Sequence, residues 1–254
     1  MLDVIIIGAG IAGMTAGIYA VRAGKKVLIL ENKVEGGQII NTVDIENWPG
    51  DLGISGVDLT RKIKKHAEKL GVSFDYVDIS EIKKDGDKFV AISDDGEEFM
   101  ARSLIIATGT EPRKMSEVQT LSAGSRPISY CATCDGALYK DKKVVVVGHG
   151  NSAKHEIKYL EGICSKVYNI HHDEPIPEDA EAAFVAIGRV PNTAIFKGLV
   201  DMDSEGYIVA GEDCKTSCDG VFVAGDVRTK NLRQLVTAAS DGAIAAEEAI
   251  KYLS

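Results

Sequence analysis

Two cysteines stand two residues apart in the run SYCATCDG (129–136): Cys131 and Cys134, with Asp135 directly after them. A CxxC pair can contribute half of a zinc site, close a structural disulfide, or cycle between dithiol and disulfide. The zinc arrangement needs two further ligands. Cys214 and Cys218 are available, but as CxxxC, whereas structural zinc sites favour paired CxxC knuckles. An odd count of five cysteines in a chain of 254 residues fits a reducing compartment better than a disulfide-stapled secreted fold. A working dithiol is consistent with both points, because a cysteine at a helix start gains thiolate character from the helix dipole. Asp135 suits either proton transfer or capping of the following turn. Cys164, at an apolar helix-to-strand junction, reads as a core residue.

A second group of residues suits a different chemistry. Gly8, Gly10 and Gly13 form a GxGxxG between a β-branched run, DVIIIG (3–8), and a small-residue helix, IAGMTAGIYAVRAG. The next strand, KKVLILE (25–31), closes on Glu31. In that context the glycines let backbone N–H groups approach a pyrophosphate at the helix N-terminus, and the acid meets a ribose hydroxyl. Asp226 ends the later strand GVFVAGD, at the carboxyl end where such sheets bind ligands.

These residues need a scaffold, and the pattern along the chain describes one. EGGQIINTVDIENWPG (35–50) is a glycine-bearing loop too long for a mere connector. Residues 58–71 carry Leu59, Ile63, Ala67 and Leu70 at helical spacing, with lysines and an arginine on the other face. Residues 72–101 alternate in short runs broken by KKDGDK and SDDGEE, the turn chemistry of a β-meander, and SLIIATG (103–109) is again a buried strand. The strand–glycine–helix pattern then restarts at 142–162, with Gly148, Gly150 and Ala153 as GxGxxA, and 165–173 supplies the next strand. A final strand at 220–226 leads into a long Ala-rich helix. The expected fold is α/β, with two Rossmann-like dinucleotide-binding domains, the second truncated and inserted in the first. The boundaries are 1–115 with 189–254 for the first and 116–188 for the second.

Bulk properties exclude other classes. A net charge of −9 argues against nucleic acid, which needs clustered cations. No apolar run approaches the ~20 residues of a membrane span, and MLDVIIIGAG lacks the basic start of a signal peptide, so the expected location is cytoplasmic.

Taken together, GAGIAGMTAGIYAVRAG, GGQI, ENWPG, IIATG, SYCATCDG, AIGRVPNT and GVFVAGDVRTKNLRQLVTAASDGAIAA resemble the bacterial-type thioredoxin reductases across nearly the whole chain. The resemblance implies FAD in the first domain and a homodimer. Gly8, Gly10 and Gly13 would hold the pyrophosphate and Glu31 the adenosine ribose. Gly37, Gln38, Asn47, Thr108 and Gly109 would line the cofactor, Asp226 would meet its ribityl or phosphate portion, and Arg233, Gln234 and Leu235 would flank the isoalloxazine. It further implies that Cys134 faces the flavin, that Cys131 attacks the disulfide of thioredoxin, that Asp135 transfers the proton, and that Arg126 docks the partner. No metal is implied.

The second domain departs from the family. Where the family carries a basic run for the NADPH 2′-phosphate, this chain has His171, His172, Asp173 and Glu174, and like charge repels a phosphate. Only residues 174–181 separate this point from the closing strand, too few for the βαβ unit of ~30 residues that belongs there. The expected electron donor is therefore ferredoxin or another low-potential carrier, as in the ferredoxin-dependent flavin thioredoxin reductases. The alternatives are an NADPH- or NADH-dependent reductase (Asp173 as the ribose acid), a dithiol oxidase passing electrons to oxygen, and a non-catalytic flavin redox sensor. The small domain is expected to swing about hinges near Glu117 and Arg189.

Overall fold

The computed structural model describes residues 1–115, 123–171 and 173–254. Glu117 and His172 lie outside them. The chain divides into two compact units, Met1–Glu111 with Pro191–Ser254, and Pro112–Val190.

The first unit is built on β1 (Leu2–Ile7), whose Val4, Ile5 and Ile6 are completely buried. Apolar side chains on both faces are what a central parallel strand requires. β1 pairs in parallel with β2 (Val27–Glu31) on one side and β6 (Glu98–Ile106) on the other. β6 does double duty along its second edge. Its first half pairs antiparallel with β5 (Lys88–Ser93), and its second half pairs in parallel with β13 (Val221–Val223). β4 (Ile79–Asp85) completes the meander outside β5. The stretch 72–101 is thus not one meander. Its first strand, β3 (Ser73–Tyr76), pairs in parallel with β2, Leu28 opposite Ser73 and Glu31 opposite Tyr76. The reason is topological: α2 (Gly56–Leu70) precedes it and supplies the long crossover a parallel neighbour needs.

Two helices from opposite ends of the chain pack over this sheet. α1 (Ile11–Arg22) follows the first glycine loop, and α5 (Leu235–Tyr252) ends the chain. They meet almost backbone to backbone through Ala12, Ala16, Gly242, Ala245 and Ala246. A Cβ on Gly242 would lie 2.2 Å from the Ala12 carbonyl oxygen. The Ala and Gly content of both helices is what permits the approach, and a branched residue there would force them apart.

The second unit carries a sheet of four parallel strands in the order β10–β9–β11–β8. They are β8 (Ile128–Ser129), β9 (Lys143–Val147), β10 (Lys166–Ile170) and β11 (Ala182–Val185). α3 (Ala132–Asp135) lies between β8 and β9, and α4 (Asn151–Glu161) between β9 and β10. β10 is an edge strand. Among the described residues of 171–181 there is no helix or strand, and the chain passes directly from β10 to β11. The second dinucleotide-type fold is therefore short, as its sequence implies. The two segments that join the units, β7 (Thr110–Pro112) and β12 (Arg189–Pro191), pair with each other. No helix among the described residues is long and apolar enough to cross a membrane.

Replacing Gly242 with Ala should lower the unfolding free energy by about 2 kcal/mol, since neither backbone can yield without disturbing the sheet beneath. Denaturant melting should show an earlier midpoint at unchanged slope.

Candidate functional site

The first glycine loop is shaped by close approaches. Gly8 adopts φ +106°, and its N–H donates to the Leu30 carbonyl at 2.8 Å, so the loop leaves the sheet over β2. A Cβ on Gly13 would lie 1.9 Å from the Gly8 carbonyl oxygen, which draws the first turn of α1 down onto the loop. Around Gly10 the opposite holds: nothing lies within 4 Å of where a Cβ would be. The N-terminus of α1 therefore opens onto a bare backbone face suited to an anionic ligand. Glu31 is held at its edge. One carboxylate oxygen accepts the Ala9 N–H at 2.7 Å, and the other accepts those of Asn32 and Lys33 at 3.0 and 3.1 Å.

The long loop after β2 is stitched to the same place. Gly36 donates its N–H to Ala9 O at 2.8 Å and bridges to Gly10, setting Gly37 and Gln38 in an exposed 3-10 turn beside it. Glu35 anchors that turn through Lys64 Nζ at 3.0 Å and the Tyr76 hydroxyl at 2.9 Å. The Tyr76 hydrogen bond, then Glu35, hold the Lys64 ammonium well above the ordinary lysine range.

The opposite wall comes from the end of the chain. Asn47 Nδ2 donates to Gln234 Oε1 at 3.1 Å, joining residues that lie 187 positions apart. Gln234 caps α5, its N–H donating to Thr237 Oγ1, and Leu235 packs into the core below. Arg233 is fixed without a carboxylate: its guanidinium lies 4.3 Å from the Tyr207 ring and donates to the Asp226 and Arg228 carbonyls at 3.2 Å. Thr108 and Gly109 are held by Asn192. Thr108 Oγ1 donates to Asn192 O at 2.7 Å, Asn192 Nδ2 donates to Thr108 O at 3.0 Å, and Asn192 N–H donates to Gly109 O at 3.0 Å. The candidate residues of this unit are thus drawn together from 8–13, 31–47, 108–109 and 226–235.

Asp241 holds that wall, and the sequence reading missed it. It is 4% exposed in an Ala-rich helix. Arg228 makes a two-pronged bond to it, Nη2 to Oδ1 at 2.8 Å and Nε to Oδ2 at 3.0 Å; Lys230 Nζ lies 2.6 Å from Oδ2, and the Gly225 N–H donates to Oδ2 at 3.0 Å. The turn that presents Asp226 therefore hangs on a buried carboxylate. Burial pushes the Asp241 carboxyl up, but Arg228 and Lys230 outweigh it and hold it below the ordinary value. Nothing local singles it out: the same helix carries Glu247 and Glu248, and its partners Arg228 and Lys230 lie 13 and 11 positions earlier.

In the second unit Cys131 and Cys134 are bonded to each other, so neither sulfur is a zinc thiolate. Cys131 is half-buried and Cys134 exposed. The helix that starts at Cys131 is a single turn of four residues, too short for a full macrodipole, so the dipole reason for an activated thiol is weakened. What favours negative charge there is local: the Cys134 N–H points at Cys131 Sγ, 3.2 Å away. Asp135 lies beside them and accepts from Ser129 Oγ at 2.6 Å. α4 packs against this turn, and a Cβ on Gly136 would meet Tyr159 and Leu160 at 3.1 Å.

The second glycine loop keeps its turn, with Gly148 at φ +126° and its carbonyl accepting from Asn169 Nδ2 at 2.7 Å. His149 stacks on His171 at 5.5 Å across its mouth. The acids behind it are exposed and lie against His171: Glu174 accepts the His171 N–H at 2.9 Å, and Asp173 lies 3.4 Å from His171 Nδ1. Arg126 is not free to dock a partner. Its guanidinium donates to the carbonyls of Ala180, Glu178 and Ala123 at 2.8, 2.7 and 3.2 Å, tying down the short passage into β11. Cys164 is half-buried against Tyr139. Cys214 is buried, its thiol pushed up to about 12 first by burial and then by Asp241. Cys218 lies 3.7 Å from Lys84 Nζ. Among the described residues no three His, Cys, Asp or Glu side chains converge as a metal site would require.

A family model for the pyridine nucleotide-disulphide oxidoreductases matches residues 2–177 and 174–242. The chain belongs to that family. A thioredoxin reductase of Listeria monocytogenes is 36% identical over 299 aligned residues, covering 99% of this chain and 93% of its own length. The structure of a thioredoxin reductase from Streptococcus pyogenes superposes with a TM-score of 0.91 at 34% identity, covering 100% of this chain and 98% of that one. A ferredoxin-flavin thioredoxin reductase from Clostridium acetobutylicum superposes at 0.64 with 28% identity, covering 99% and 97%. The Listeria alignment is longer than the 254 residues of this chain, so part of that relative has no counterpart here.

This member of the pyridine nucleotide-disulphide oxidoreductases is a thioredoxin reductase-type flavin enzyme with a redox-active disulfide, and FAD is its cofactor. The cradle fits that group: a bare helix N-terminus at Gly10 for phosphates and a fixed carboxylate at Glu31 for hydroxyls.

Asp241→Asn should leave Lys230 without its counter-ion and Arg228 with only the exposed Glu212 at 3.8 Å, and cost about 3–5 kcal/mol of stability at neutral pH. Because the folded carboxyl is depressed, its stabilisation is present above the ordinary carboxylate pKa and is lost as pH falls through the lower folded value. Denaturant melts should therefore show the gap between variant and wild type closing in acid.

Proposed function

We propose that the protein reduces thioredoxin through the Cys131–Cys134 pair and receives its electrons from a low-potential protein carrier such as ferredoxin rather than from NADPH. The observation that carries the donor reading is the edge position of β10, with no further βαβ unit before β11. A dinucleotide needs that missing layer for its adenosine half. Asp173 and Glu174 add like charge where a 2′-phosphate would sit, and the stacked His149 and His171 close over the loop. The likeness to a ferredoxin-flavin thioredoxin reductase supports the same reading.

In this proposal Gly8, Gly10 and Gly13 hold the FAD pyrophosphate, Glu31 its ribose, and Asp226 its ribityl or phosphate portion. Gly37, Gln38, Asn47, Thr108 and Gly109 line the cofactor, and Arg233, Gln234 and Leu235 flank its ring. Bound there, FAD would supply the conversion between one-electron uptake and two-electron delivery. The remaining chemistry belongs to the chain. Once the disulfide is reduced, the Cys131 thiolate attacks the disulfide of thioredoxin, forming a mixed disulfide and releasing one partner thiolate. Cys134 then attacks Cys131 Sγ, which restores the internal bond and frees the second partner thiolate. Two electrons leave the dithiol and two enter thioredoxin. Asp135, held by Ser129, takes the proton that Cys134 loses and returns it to the departing thiolate. Thioredoxin lies near about −270 mV, so the donor must be at least comparably reducing, as low-potential iron–sulfur proteins are. A homodimer belongs to the same proposal.

Anaerobic addition of reduced ferredoxin should bleach the flavin absorbance within a mixing time, while NADPH and NADH bleach it slowly or not at all. Fast, stoichiometric bleaching by NADPH at micromolar concentration overturns the donor assignment. For the cysteine roles, Cys134→Ser should trap thioredoxin as a stable mixed disulfide on Cys131, and Cys131→Ser should trap none. The reverse pattern exchanges the two roles.

A further inference from the structure

Glu156 is a half-buried acid, one carboxyl oxygen of which is fully buried, that the exchange chemistry does not use. It lies on α4 between Ala153 and Leu160, three residues after the one and four before the other, and both share a core with Ala132 of the redox turn. The backbone amide of Ala132, the residue after Cys131, acts on its carboxyl and favours the ionised form, while its Oε2 is buried without a hydrogen-bond partner. Ala132 is itself 1% exposed, and Gly136 seats the end of the turn against Tyr159 and Leu160, so the acid sits directly behind the dithiol segment.

The surroundings are mostly apolar. Val144 and Val146 of β9, Phe184 of β11 and Leu160 of α4 form the core beside it, together with Tyr139. From β12, Arg189 is the cation that acts on it. From α3, Asp135 is engaged by Ser129. Lys154, His155 and Lys158 of its own helix are exposed. Burial outweighs both the Ala132 N–H and Arg189, and the carboxyl rises to about 7. A carboxyl oxygen with no donor costs least when it carries the proton itself.

We propose that Glu156 is a positioning residue for the redox pair: it exchanges a proton with solvent as the Cys131–Cys134 bond opens and closes, and so makes that bond harder to reduce in alkaline solution. The balance is as follows. Two electrons break the S–S bond; one sulfur takes a proton and the other remains a thiolate. The new negative charge lies in front of Glu156, so an ionised Glu156 takes up a second proton from solvent. When the dithiol is reoxidised both protons leave with the two electrons. In acid the carboxyl is neutral in both states and has no effect. Above pH 7 it is ionised in the disulfide form, opposes the thiolate, and up to one extra proton is taken up on reduction, worth up to tenfold per pH unit in the equilibrium constant. This rests on the dithiol of the proposed function, but not on its donor.

The test is equilibration of the FAD-loaded protein in dithiothreitol redox buffers from pH 6 to 8.5, with the Cys131–Cys134 state read by the mass of alkylated peptides. Glu156→Gln keeps the shape and polarity of the side chain and removes the titration. Its equilibrium constant for reduction should match wild type at pH 6 and exceed it by about tenfold at pH 8.5. A ratio that does not change with pH overturns the role of Glu156, while a pair that no buffer reduces overturns the proposed function with it. If Glu156→Gln does not fold, carboxyl NMR of wild type labelled at glutamate decides. One carboxyl should titrate near neutrality in the oxidised protein and at higher pH in the reduced one. Glutamates that all titrate in the ordinary range, or a midpoint unmoved by reduction, overturn it.

Discussion

The cofactor cradle of the first unit depends on one buried ionic contact, Asp241 with Arg228 and Lys230. A carboxylate taken out of water is costly, and here two cations and the Gly225 N–H compensate it. The geometry matters more than the net energy. Gly225, Arg228 and Lys230 belong to the turn after β13, and that turn presents Asp226 and leads to Arg233 and Gln234. With its carbonyl groups engaged by Arg233 and its amide by Asp241, the turn has few ways to move. The residue after Asp241 is Gly242, which brings α5 onto Ala12 of α1. One turn of helix thus holds both walls of the cradle, the glycine loop through α1 and the facing wall through the β13 turn.

This arrangement explains why the cradle is assembled from both ends of the chain. β1 and α1 contribute the glycine loop, and β13 and α5 contribute the facing wall; β6 lies between β1 and β13 and holds them in register. Asn47 reaches Gln234 only because the loop of 35–50 is anchored by Glu35 to α2 and β3. Such contacts are long in sequence and short in space, which is why a propensity reading sees the pieces without their junctions.

The parts legible in the sequence were those with a local signal. Gly8, Gly10 and Gly13 sit between a buried strand and a small-residue helix, and the spacing to Glu31 is a property of one βαβ unit. The CxxC and its acid are equally local. β3 was misread because SFDY is a short edge strand with three exposed residues, so its alternation looks like that of a hairpin; only its partner distinguishes the two. Asp241 was invisible for a different reason. An acid in a helix reads as solvent-facing unless something shows that the helix is covered, and the cover here comes from Gly225, Arg228 and Lys230 of the turn after β13. Arg126 was misjudged for a similar reason, since its partners Ala180 and Glu178 lie 54 and 52 positions along the chain.

The second unit shows why a glycine loop can persist where its nucleotide fold has been cut short. α4 and β9, which flank the loop, are also the support of the redox turn. Ala132, Val144, Val146, Ala153, Leu160 and Phe184 form one core, and the CATC segment rests on it. Removing the loop would remove that support. The passage into β11 is correspondingly well tied: Arg126 holds two of its carbonyls, Asp179 accepts from Tyr168 and Lys143, and Glu181 accepts the Lys143 N–H. The GxGxxA of this chain therefore has a structural reason to exist that does not involve a dinucleotide. A strand-loop-helix motif counts as evidence for a ligand only when the layer that would cover the ligand is also present.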